Sequence, residues 1–415
     1  MTPMRGWRRI LLVLLPFAAG YYLSYLFRTI NALISAQLGS DLALGAAELG
    51  LLTAVYFLAF AAIQLPVGIM LDRYGPRRVQ SALLLVAAAG AAIFGSADGL
   101  VTLIVGRALV GLGVAAALIA GLKAIVLWFP KERVALVNGC FIMLGSLGAV
   151  TATVPADMLL FWMGWRGLFE FLAAATAGCA VAIYVLVPEP PVAASMKNSA
   201  PARLKTIYAD PRFWRLAPIS TMCISTAWAL QGLWAGPWLT DVENLQRPEI
   251  VRHLFVMALA LSAGALLLGT GADRLRRRGV QPRMLLGVVA SVFIATQLAL
   301  IFRLSWSSYF LWAVIASVGA ATVLSYAILA DYFPKEIAGQ ANAALNIFHI
   351  GGAFVVQYSI GLVVDRWTNH AGHYPSIAYK IALAGVVALQ FLALIWFVRP
   401  ERGIEERGGE LSANA

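Results

Sequence analysis

Charged residues are scarce in this chain of 415 residues: Asp, Glu, Lys and Arg make up 12%, whereas 61% of the residues are hydrophobic. Soluble domains carry about 25% charged and about 45–50% apolar residues. A water-soluble fold of this length would leave much of that apolar surface in contact with water. The scarcity of charge therefore excludes an ordinary soluble protein and indicates that lipid surrounds most of the chain.

Several chemical motifs are also missing. The three cysteines, Cys140, Cys179 and Cys223, lack ligand spacing, so we expect packing residues and neither a metal nor a cofactor. No Gly-x-x-x-x-Gly-Lys loop occurs, which argues against ATP as an energy source. No nucleophile–base or metal-ligand cluster suggests an enzyme. The net charge of +11 lies in short clusters between apolar runs, so a nucleic-acid partner is not expected.

Long continuous apolar runs fill the sequence instead. Their length of ~20–25 residues fits membrane helices and exceeds the ~10-residue alternating strands of a β-barrel. We expect an all-α membrane protein with 12 transmembrane helices, numbered here as spans 1 to 12, and we expect the first to be retained rather than cleaved as a signal peptide. The predicted spans are 10–37, 47–70, 78–97, 101–126, 134–160, 167–187, 213–239, 251–271, 283–302, 308–332, 338–364 and 376–398.

The basic residues predict the orientation of these spans. With the N-terminus inside, 22 of the 31 Lys and Arg residues lie on the inner side in loops, termini or span ends, six lie on the outer side and three lie deeper within spans. This asymmetry is the positive-inside pattern, so both termini are expected to be cytoplasmic. The expected location is the plasma membrane, specifically a bacterial inner membrane, with the lipid bilayer as the main partner.

Two motifs recur at an offset of about 200 residues. An acid within an arginine-rich turn follows span 2 at 68–78 and span 8 at 269–279, and Phe-Pro-Lys-Glu follows span 4 at 129–132 and span 10 at 333–336. Self-similarity at one fixed offset indicates a duplicated unit.

This repeat predicts the domain organisation. We expect two pseudo-symmetric six-helix bundles, 1–190 and 213–415, the second with a short cytoplasmic tail, joined by a cytoplasmic linker at 191–212. Matched bundles of this kind are typical of secondary transporters.

The first motif carries a specific family resemblance. Gly68-x-x-x-Asp72-Arg73-x-Gly75-x-Arg77-Arg78 resembles the loop 2–3 signature of the major facilitator superfamily. Arg107-x-x-x-Gly111-x-Gly113 in span 4 resembles its second signature, and Trp165-Arg166 is also common there. The resemblance implies two bundles around a central cavity that opens alternately to each side of the membrane. A monomer is expected.

The resemblance also implies a conformational latch. Asp72 is expected against the N-terminus of span 11, near 338–342, where the helix dipole stabilises a carboxylate by ~0.3–2 kcal/mol. Gly68 is expected to let helices approach closely, and Asp273 is expected to act likewise toward span 5. The alternative is a topogenic basic loop with an incidental acid. The latch set is Gly68, Asp72, Arg73, Gly75, Arg77, Arg78, Gly269, Asp273 and Arg274.

Span 1 carries the main candidate for binding a solute. Tyr21, Ser24, Arg28, Asn31 and Ser35 are spaced three, four, three and four residues apart, so they share one helix face. A polar face on a membrane helix must contact protein or water. We interpret Arg28 as a cavity-facing substrate residue, loosely similar to the span 1 arginine of organic-anion and organophosphate members of the superfamily. A structural arginine paired with backbone carbonyls, or one that reaches the outer surface, is the alternative.

Other polar residues in the spans complete the candidate site. His349 could carry a proton or be an ordinary buried histidine, and Lys123 could bind an anion or extend to the membrane surface. Arg107 lies in a glycine-rich stretch suited to tight packing, and the resemblance links it to coupling. The substrate-binding candidates are Ser24, Arg28, Asn31, Tyr56, Lys123, Trp228, Gln231, Asn346, His349 and Gln357, and the coupling candidates are Arg107 and His349.

The balance of intramembrane charge predicts the solute class. No Asp or Glu lies near the middle of a predicted span, whereas Arg28, Arg107 and Lys123 do lie within spans. We therefore expect a secondary active transporter for a small organic anion that works through proton coupling or exchange. The alternatives are an efflux antiporter for drugs or siderophore-type compounds and a membrane sensor that keeps this fold without transporting.

Overall fold

The computed structural model describes residues 6–188, 200–304, 306–369 and 373–399. Helices account for most of these residues, as the long apolar runs predict. Those of the first half are α1 Gly6–Arg9, α2 Leu15–Thr29, α3 Asn31–Leu42, α4 Ala46–Ala62, α5 Gln64–Gly95, α6 Leu100–Val114, α7 Ala117–Trp128, α8 Lys131–Thr151 and α9 Val154–Leu186, with a π-helical turn at Ile10–Leu14.

The second half is built in the same way. Its helices are α10 Ala200–Ala209, α11 Pro211–Ala229, α12 Ala235–Asp241, α13 Arg247–Arg277, α14 Pro282–Ile301, α15 Ser308–Val318, α16 Thr322–Tyr332, α17 Lys335–Val364 and α18 Ser376–Val398, with a π-helical turn at Leu230–Trp234. The linker predicted at 191–212 contains α10. Residues 189–199 and the tail after 399 lie outside the described residues.

The helices follow the predicted spans, although several spans are broken into pieces. Span 1 comprises the π-helical turn at Ile10–Leu14, α2 and part of α3. Span 4 comprises α6 and α7, span 7 comprises α11 and α12, and span 10 comprises α15 and α16. Within the described ranges, seven helices are long and apolar enough to cross a membrane, and three further apolar helices are shorter.

Two glycines join neighbouring spans in tight turns. α5 contains span 3 and the end of span 2, and it bends at Gly75, which has φ +78°. α9 contains span 6 and the end of span 5, and it bends at Gly164, which has φ +65°. A side chain strains the backbone at positive φ, so glycine is the residue suited to both bends.

Spans 4 and 10 break at equivalent places. The first break separates Val114 from Ala117, and the second separates Val318 from Thr322. A helix of 12 residues separates the first break from its Phe-Pro-Lys-Glu motif, and a helix of 11 residues separates the second break from its own. The repeat read from the sequence therefore extends to the positions at which the helices are interrupted.

The chain forms two compact units. The first contains the described residues of Met1–Met196, Ala229–Leu259 and Gln357–Tyr379, and the second those of Lys197–Trp228, Ala260–Val356 and Lys380–Ala415. The first unit thus includes the end of span 7, the start of span 8, the end of span 11 and the start of span 12 in addition to spans 1 to 6. The bundle boundaries at 190 and 213 stay a prediction.

Small residues let span 4 pack against its neighbours. A Cβ atom at Gly106 would lie 2.8 Å from the Gly90 oxygen, and one at Gly113 would lie 2.3 Å from the Ala87 nitrogen. At Gly111 it would lie 2.3 Å from the Tyr56 oxygen. The tight packing predicted for this stretch is confirmed, and it places the Arg107 side chain inside the first unit.

Candidate functional site

Arg28 is a cation within span 1 and is only partly buried. It lies in α2, two residues before the break at Ile30 that separates α2 from α3. Its guanidinium carbon is 4.2 Å from the centre of the Tyr25 ring, a distance at which the ring face attracts a cation. The adjoining Ser24 is buried, and its carbonyl accepts a hydrogen bond of 3.4 Å from the Tyr56 hydroxyl.

The polar residues that share one face of span 1 contact two neighbouring spans, 2 and 5. The Asn31 amide nitrogen donates to the Thr53 hydroxyl of span 2 at 2.9 Å. Tyr21 stacks on Phe141 of span 5, with ring centres 5.1 Å apart. The Asn31 amide oxygen is buried and has no hydrogen-bond partner among the described residues. A donor group of a ligand would therefore satisfy this oxygen.

Arg107 is almost completely buried, with 1% of its surface exposed. It donates from Nη1 to the backbone oxygen of Phe27 at 2.9 Å. Its Nε and Nη2 atoms have no partner in the described part of the chain. Its guanidinium carbon lies 5.3–6.0 Å from the centres of three aromatic rings, those of Tyr56, Phe94 and Phe169. Arg107 thus binds the backbone of span 1 at Phe27, the residue that precedes Arg28.

The ends of spans 1 and 2 contact the ends of spans 7 and 11 within the first unit. A Cβ atom at Gly236 would lie 2.5 Å from the Ala32 oxygen, so α12 and α3 touch backbone to backbone. A Cβ atom at Gly361 would lie 2.7 Å from the Ala46 oxygen, so α17 and α4 do the same. In the predicted orientation, these ends lie on the outer side of the membrane.

A small cavity lies next to the contact between α3 and α12, and Ala32 is part of its lining. Spans 1, 5, 7 and 8 enclose a cavity of ≈ 10 Å³, about the room that one water molecule needs. The polar lining consists of Thr29, Thr153 and Gln231. The Gln231 Nε2 atom has no hydrogen-bond partner within the described ranges. This predicted substrate residue therefore lies in the closely packed region of the first unit.

A tyrosine and two carboxylates tie the loop after span 11 to its surroundings. The Tyr374 hydroxyl donates to Asp365 at 2.8 Å and accepts the Ala46 N–H at 3.0 Å. Asp241 accepts from the Tyr379 hydroxyl at 2.6 Å and from the Tyr374 N–H at 3.1 Å. Burial is the main cause that raises the pKa of Tyr374 above its ordinary value; the Ala46 N–H lowers that pKa, and Asp365 raises it further.

Asp72 of the signature loop is bonded within the first unit. The Lys123 ammonium donates to the Asp72 carboxylate and, at 2.8 Å, to the Leu71 oxygen. Lys123 was a substrate candidate, and here its charge is paired with Asp72. The contact of Asp72 with span 11 stays a prediction.

A Cβ atom at Gly68 would meet no described atom within 4 Å, and the close helix approach expected there stays a prediction. Arg77 places its guanidinium 5.0 Å from the centre of the Tyr184 ring. Of the second copy of the motif, Arg274 is exposed. The side chain of Asp273 and the surroundings of Gly269 lie outside the described residues.

His349 belongs to a buried hydroxyl network in the second unit. Its Nε2 atom lies 2.8 Å from the Ser220 hydroxyl, which lies 2.6 Å from the Ser325 hydroxyl. The Ser225 hydroxyl donates to the His349 backbone oxygen at 2.8 Å. The Nδ1 atom of His349 is buried and has no partner among the described residues. Three spans, 7, 10 and 11, therefore meet at one imidazole.

The remaining predicted residues are divided between the units. Asn346 accepts from Tyr326 at 3.3 Å, and the Trp228 indole donates to the Gly319 oxygen at 3.3 Å, both in the second unit. Gln357 is completely buried in the first unit, where its backbone oxygen accepts from the Trp234 indole at 3.1 Å.

Sequence reasoning missed Tyr25, Thr53, Tyr374, Asp241 and Asp365. The position of Asp241 and Asp365 at span ends was the available signal. The contacts, however, join distant parts of the chain: Asp241 bonds to Tyr379, 138 residues away, and Tyr374 bonds to Ala46, 328 residues away. Local sequence patterns do not report contacts at such separations.

The match to a family model decides the classification. The model described as Major Facilitator Superfamily matches residues 17–356, which is most of the chain. The chain belongs to the Major Facilitator Superfamily. It is therefore a multi-pass membrane protein with the twelve-helix fold of these transporters, as its motifs imply.

Relatives of this Major Facilitator Superfamily member include transporters named for anions. A probable sulfoacetate transporter of Cupriavidus necator is 23% identical over 94% of this chain and 95% of its own. A probable L-galactonate transporter of Escherichia coli is 26% identical over 70% and 67%, respectively. A nitrite extrusion protein of Bacillus subtilis is 25% identical over 90% of each chain.

Solved structures of the superfamily share the fold. A bacterial homologue of the human lysosomal transporter Spinster, in an inward-facing and unoccupied conformation, has a TM-score of 0.79 at 18% identity, with 95% of this chain and 97% of that chain covered. A D-xylose–proton symporter has a TM-score of 0.74 at 14% identity, with 95% and 99% covered. At these identities the likeness concerns the fold alone.

Proposed function

We propose that this protein is a secondary active transporter that moves a small organic anion across the plasma membrane by alternating access. Membership of the superfamily supports transport, and relatives named for sulfoacetate, L-galactonate and nitrite support an anionic solute. The single observation that carries the solute class is Arg28, a partly buried cation within span 1. Charged residues at such depth face protein or water rather than lipid and mark solute pathways.

Arg28 and Arg107 have different proposed tasks. Arg107 is buried, surrounded by aromatic rings and bonded to the backbone of span 1. Arg28 lies one residue after that anchored carbonyl, with its guanidinium against the Tyr25 ring. A guanidinium binds a carboxylate or sulfonate through two parallel hydrogen bonds when its orientation is fixed. We therefore assign anion binding to Arg28 and the positioning of span 1 to Arg107.

Asn31 supplies a second proposed contact. Its amide nitrogen is used by Thr53, which fixes the side chain and leaves the buried amide oxygen without a partner among the described residues. An unsatisfied buried acceptor costs about 1–3 kcal/mol, so a donor group of the solute would be favoured there. A hydroxyl group beside the anionic group fits this requirement, as in a sugar acid.

The backbone contacts between α3 and α12, and between α4 and α17, support a state closed at these span ends. In the predicted orientation this is the outer side. Transport requires these contacts to separate. The Tyr374 bridge, which joins the α4 N-terminus to the loop after α17, is the proposed latch of this side.

Uptake into proteoliposomes tests the role of Arg28. Sulfoacetate, L-galactonate and nitrite are the first candidate substrates to test, because relatives are named for these three anions. For a transported anion, Arg28→Ala should reduce initial uptake about 10-fold or more, since a hydrogen bond to a charged group contributes about 1.5–3 kcal/mol. Arg28→Lys should retain part of the rate, because it keeps the charge but loses the two-pronged geometry.

Arg133→Ala is the matched control, since Arg133 is an exposed arginine of the first unit. Normal uptake by Arg28→Ala would refute the assignment of anion binding to Arg28. Efflux of hydrophobic cations by expressing cells, with no uptake of any anion in an extended panel, would favour the exporter alternative instead.

A further inference from the structure

A groove on the surface of the first unit lies between spans 3 and 6. Its volume is ≈ 290 Å³, near the lower end of ordinary ligand sites at roughly 300–1,000 Å³. Residues of α5 at i, i+3, i+4 and i+7 form one wall, because they share a helix face. The lining includes Arg78, Ser81, Ala82 and Leu85 of α5 and Val181 and Tyr184 of α9.

The apolar part of this groove faces outward. Leu85 is 50% exposed, Val181 is 57% exposed and Tyr184 is 54% exposed. In a multi-pass membrane protein, large apolar side chains exposed on the outside of the helices contact acyl chains. The wall of the groove is therefore suited to a hydrocarbon chain that lies along spans 3 and 6.

One end of the groove is basic. Arg78 lines it three residues after the Gly75 bend, where spans 2 and 3 meet the membrane surface. Arg77 lies beside it, with its guanidinium over the Tyr184 ring. The acid of the same turn, Asp72, is paired with Lys123. The cationic end of the groove is thus adjacent to its apolar wall. The charged headgroup and the acyl chain of a lipid are arranged in the same order.

A buried polar group lies between the two parts. Ser81 is 5% exposed, and its hydroxyl has no hydrogen-bond partner in the described part of the chain. A buried hydroxyl without a partner is unfavourable, so a ligand oxygen at this position would be stabilising. The ester oxygens of a phospholipid lie between its phosphate and its acyl chains and match this order of groups.

We propose that the groove between spans 3 and 6 binds an anionic phospholipid. Its phosphate lies at Arg78 and Arg77, its ester oxygen accepts from Ser81, and one acyl chain fills the groove past Ala82 and Leu85. Guanidinium groups favour phosphate through charge-assisted hydrogen bonds. Each basic residue near anionic lipid contributes about fivefold in affinity, so the site selects a lipid with net negative charge over a zwitterionic one.

Native mass spectrometry of the detergent-purified full chain tests the proposal. Phosphatidylglycerol and phosphatidylcholine with identical acyl chains are titrated separately. The wild-type protein should bind phosphatidylglycerol several-fold more tightly. Arg78→Gln should lower that affinity about fivefold and leave phosphatidylcholine binding nearly unchanged. Ala82→Trp should weaken both lipids, because Ala82 is exposed and a larger side chain there fills the groove.

Two controls make the result decisive. Arg133→Gln removes an exposed arginine of the same unit that does not line the groove, and it should keep the wild-type preference. Glycerol phosphate, a headgroup without a chain, should not compete. The proposal fails if Arg78→Gln keeps the wild-type preference, if Ala82→Trp keeps the wild-type affinity for both lipids, if Arg133→Gln loses as much as Arg78→Gln, or if glycerol phosphate competes as well as the lipid. Should Arg78→Gln not fold, Ala82→Trp alone still decides the matter.

Discussion

The Tyr374 hydroxyl connects Asp365 to the backbone N–H of Ala46, with hydrogen bonds of 2.8 Å and 3.0 Å. Ala46 is the first residue of α4, and Asp365 directly follows α17. One side chain therefore ties the start of span 2 to the end of span 11 within the first unit. In the proposed transport cycle, opening at this end requires the bridge to break.

Tyr374→Phe should weaken closure at these span ends. It removes the donor to Asp365 and the acceptor for Ala46, and a hydrogen bond to a charged group contributes about 1.5–3 kcal/mol. A cysteine at position 32, where Ala32 is 4% exposed, reports opening through its reaction with a membrane-impermeant maleimide. In a background without Cys140, Cys179 and Cys223, Tyr374→Phe should raise the labelling rate about 10-fold.

Tyr74→Phe is the control for this experiment, because Tyr74 is 49% exposed and is far from Tyr374 in sequence. An unchanged labelling rate in Tyr374→Phe would show that the hydroxyl bridge does not hold the closed state.

The Tyr374 bridge should be insensitive to pH across the neutral range. Burial raises the pKa of Tyr374, so its neutral form is favoured in the folded protein. The corresponding stabilisation is fully present below about pH 10 and is lost only as the pH rises through the raised pKa. The difference in melting temperature between the wild type and Tyr374→Phe should therefore be constant from pH 7 to pH 9. A difference that disappears within this range would contradict a neutral tyrosine donor.

Gly236→Ala should prevent full closure of spans 1 and 7. The added Cβ atom would lie 2.5 Å from the Ala32 oxygen, closer than a carbon and a carbonyl oxygen normally approach. We expect a several-fold lower transport rate and a lower melting temperature, since overpacking typically costs about 1–3 kcal/mol. Gly139→Ala is matched to it, because a Cβ atom at Gly139 meets nothing described within 4 Å. Equal behaviour of the two variants would argue against a tight contact at Gly236.

His349→Gln should separate proton-driven uptake from exchange, if the buried imidazole carries the coupling proton. The Ser220 and Ser325 hydroxyls form a chain of hydrogen bonds that ends at Nε2 of His349. We expect uptake driven by a pH gradient to fall at least 10-fold, whereas counterflow exchange of the same solute persists. Ser291→Ala, an exposed hydroxyl of the second unit, is the control. Full pH-driven uptake by His349→Gln would show that this histidine serves packing alone.

Local sequence patterns predicted most of the architecture. The apolar runs placed the spans, the recurring motifs indicated a duplication that the matched breaks in spans 4 and 10 support, and the glycines of span 4 indicated its tight packing. The Trp165-Arg166 pair was also a useful signal, since the Trp165 indole donates to Asp41 at the end of span 1 at 2.9 Å. These features depend on the composition and spacing of residues, both of which can be read directly from the sequence.

Partner choice depended on the tertiary structure. In the sequence, Arg28, Arg107 and Lys123 are alike: each is a positively charged residue within a predicted span. The fold then buried Arg107 against the Phe27 carbonyl, left Arg28 partly exposed beside Tyr25, and paired Lys123 with Asp72. An arginine can bind a solute, a carbonyl or a carboxylate. The partner that a basic residue contacts depends on the neighbouring helices. For Arg107 and Lys123, those helices lie about 50 to 80 residues away along the sequence.

By itself, the sequence determined that the chain needs lipid, that it crosses the membrane repeatedly and that its halves are related, because hydropathy and repetition are properties of the chain. Only the tertiary structure decided that Arg107 is buried against a backbone carbonyl, that Lys123 pairs with Asp72 and that Tyr374 bridges Asp365 to Ala46. The physical reason is that hydrogen bonds and ion pairs act over a few ångströms. They form where folding brings backbones together, irrespective of their separation along the sequence.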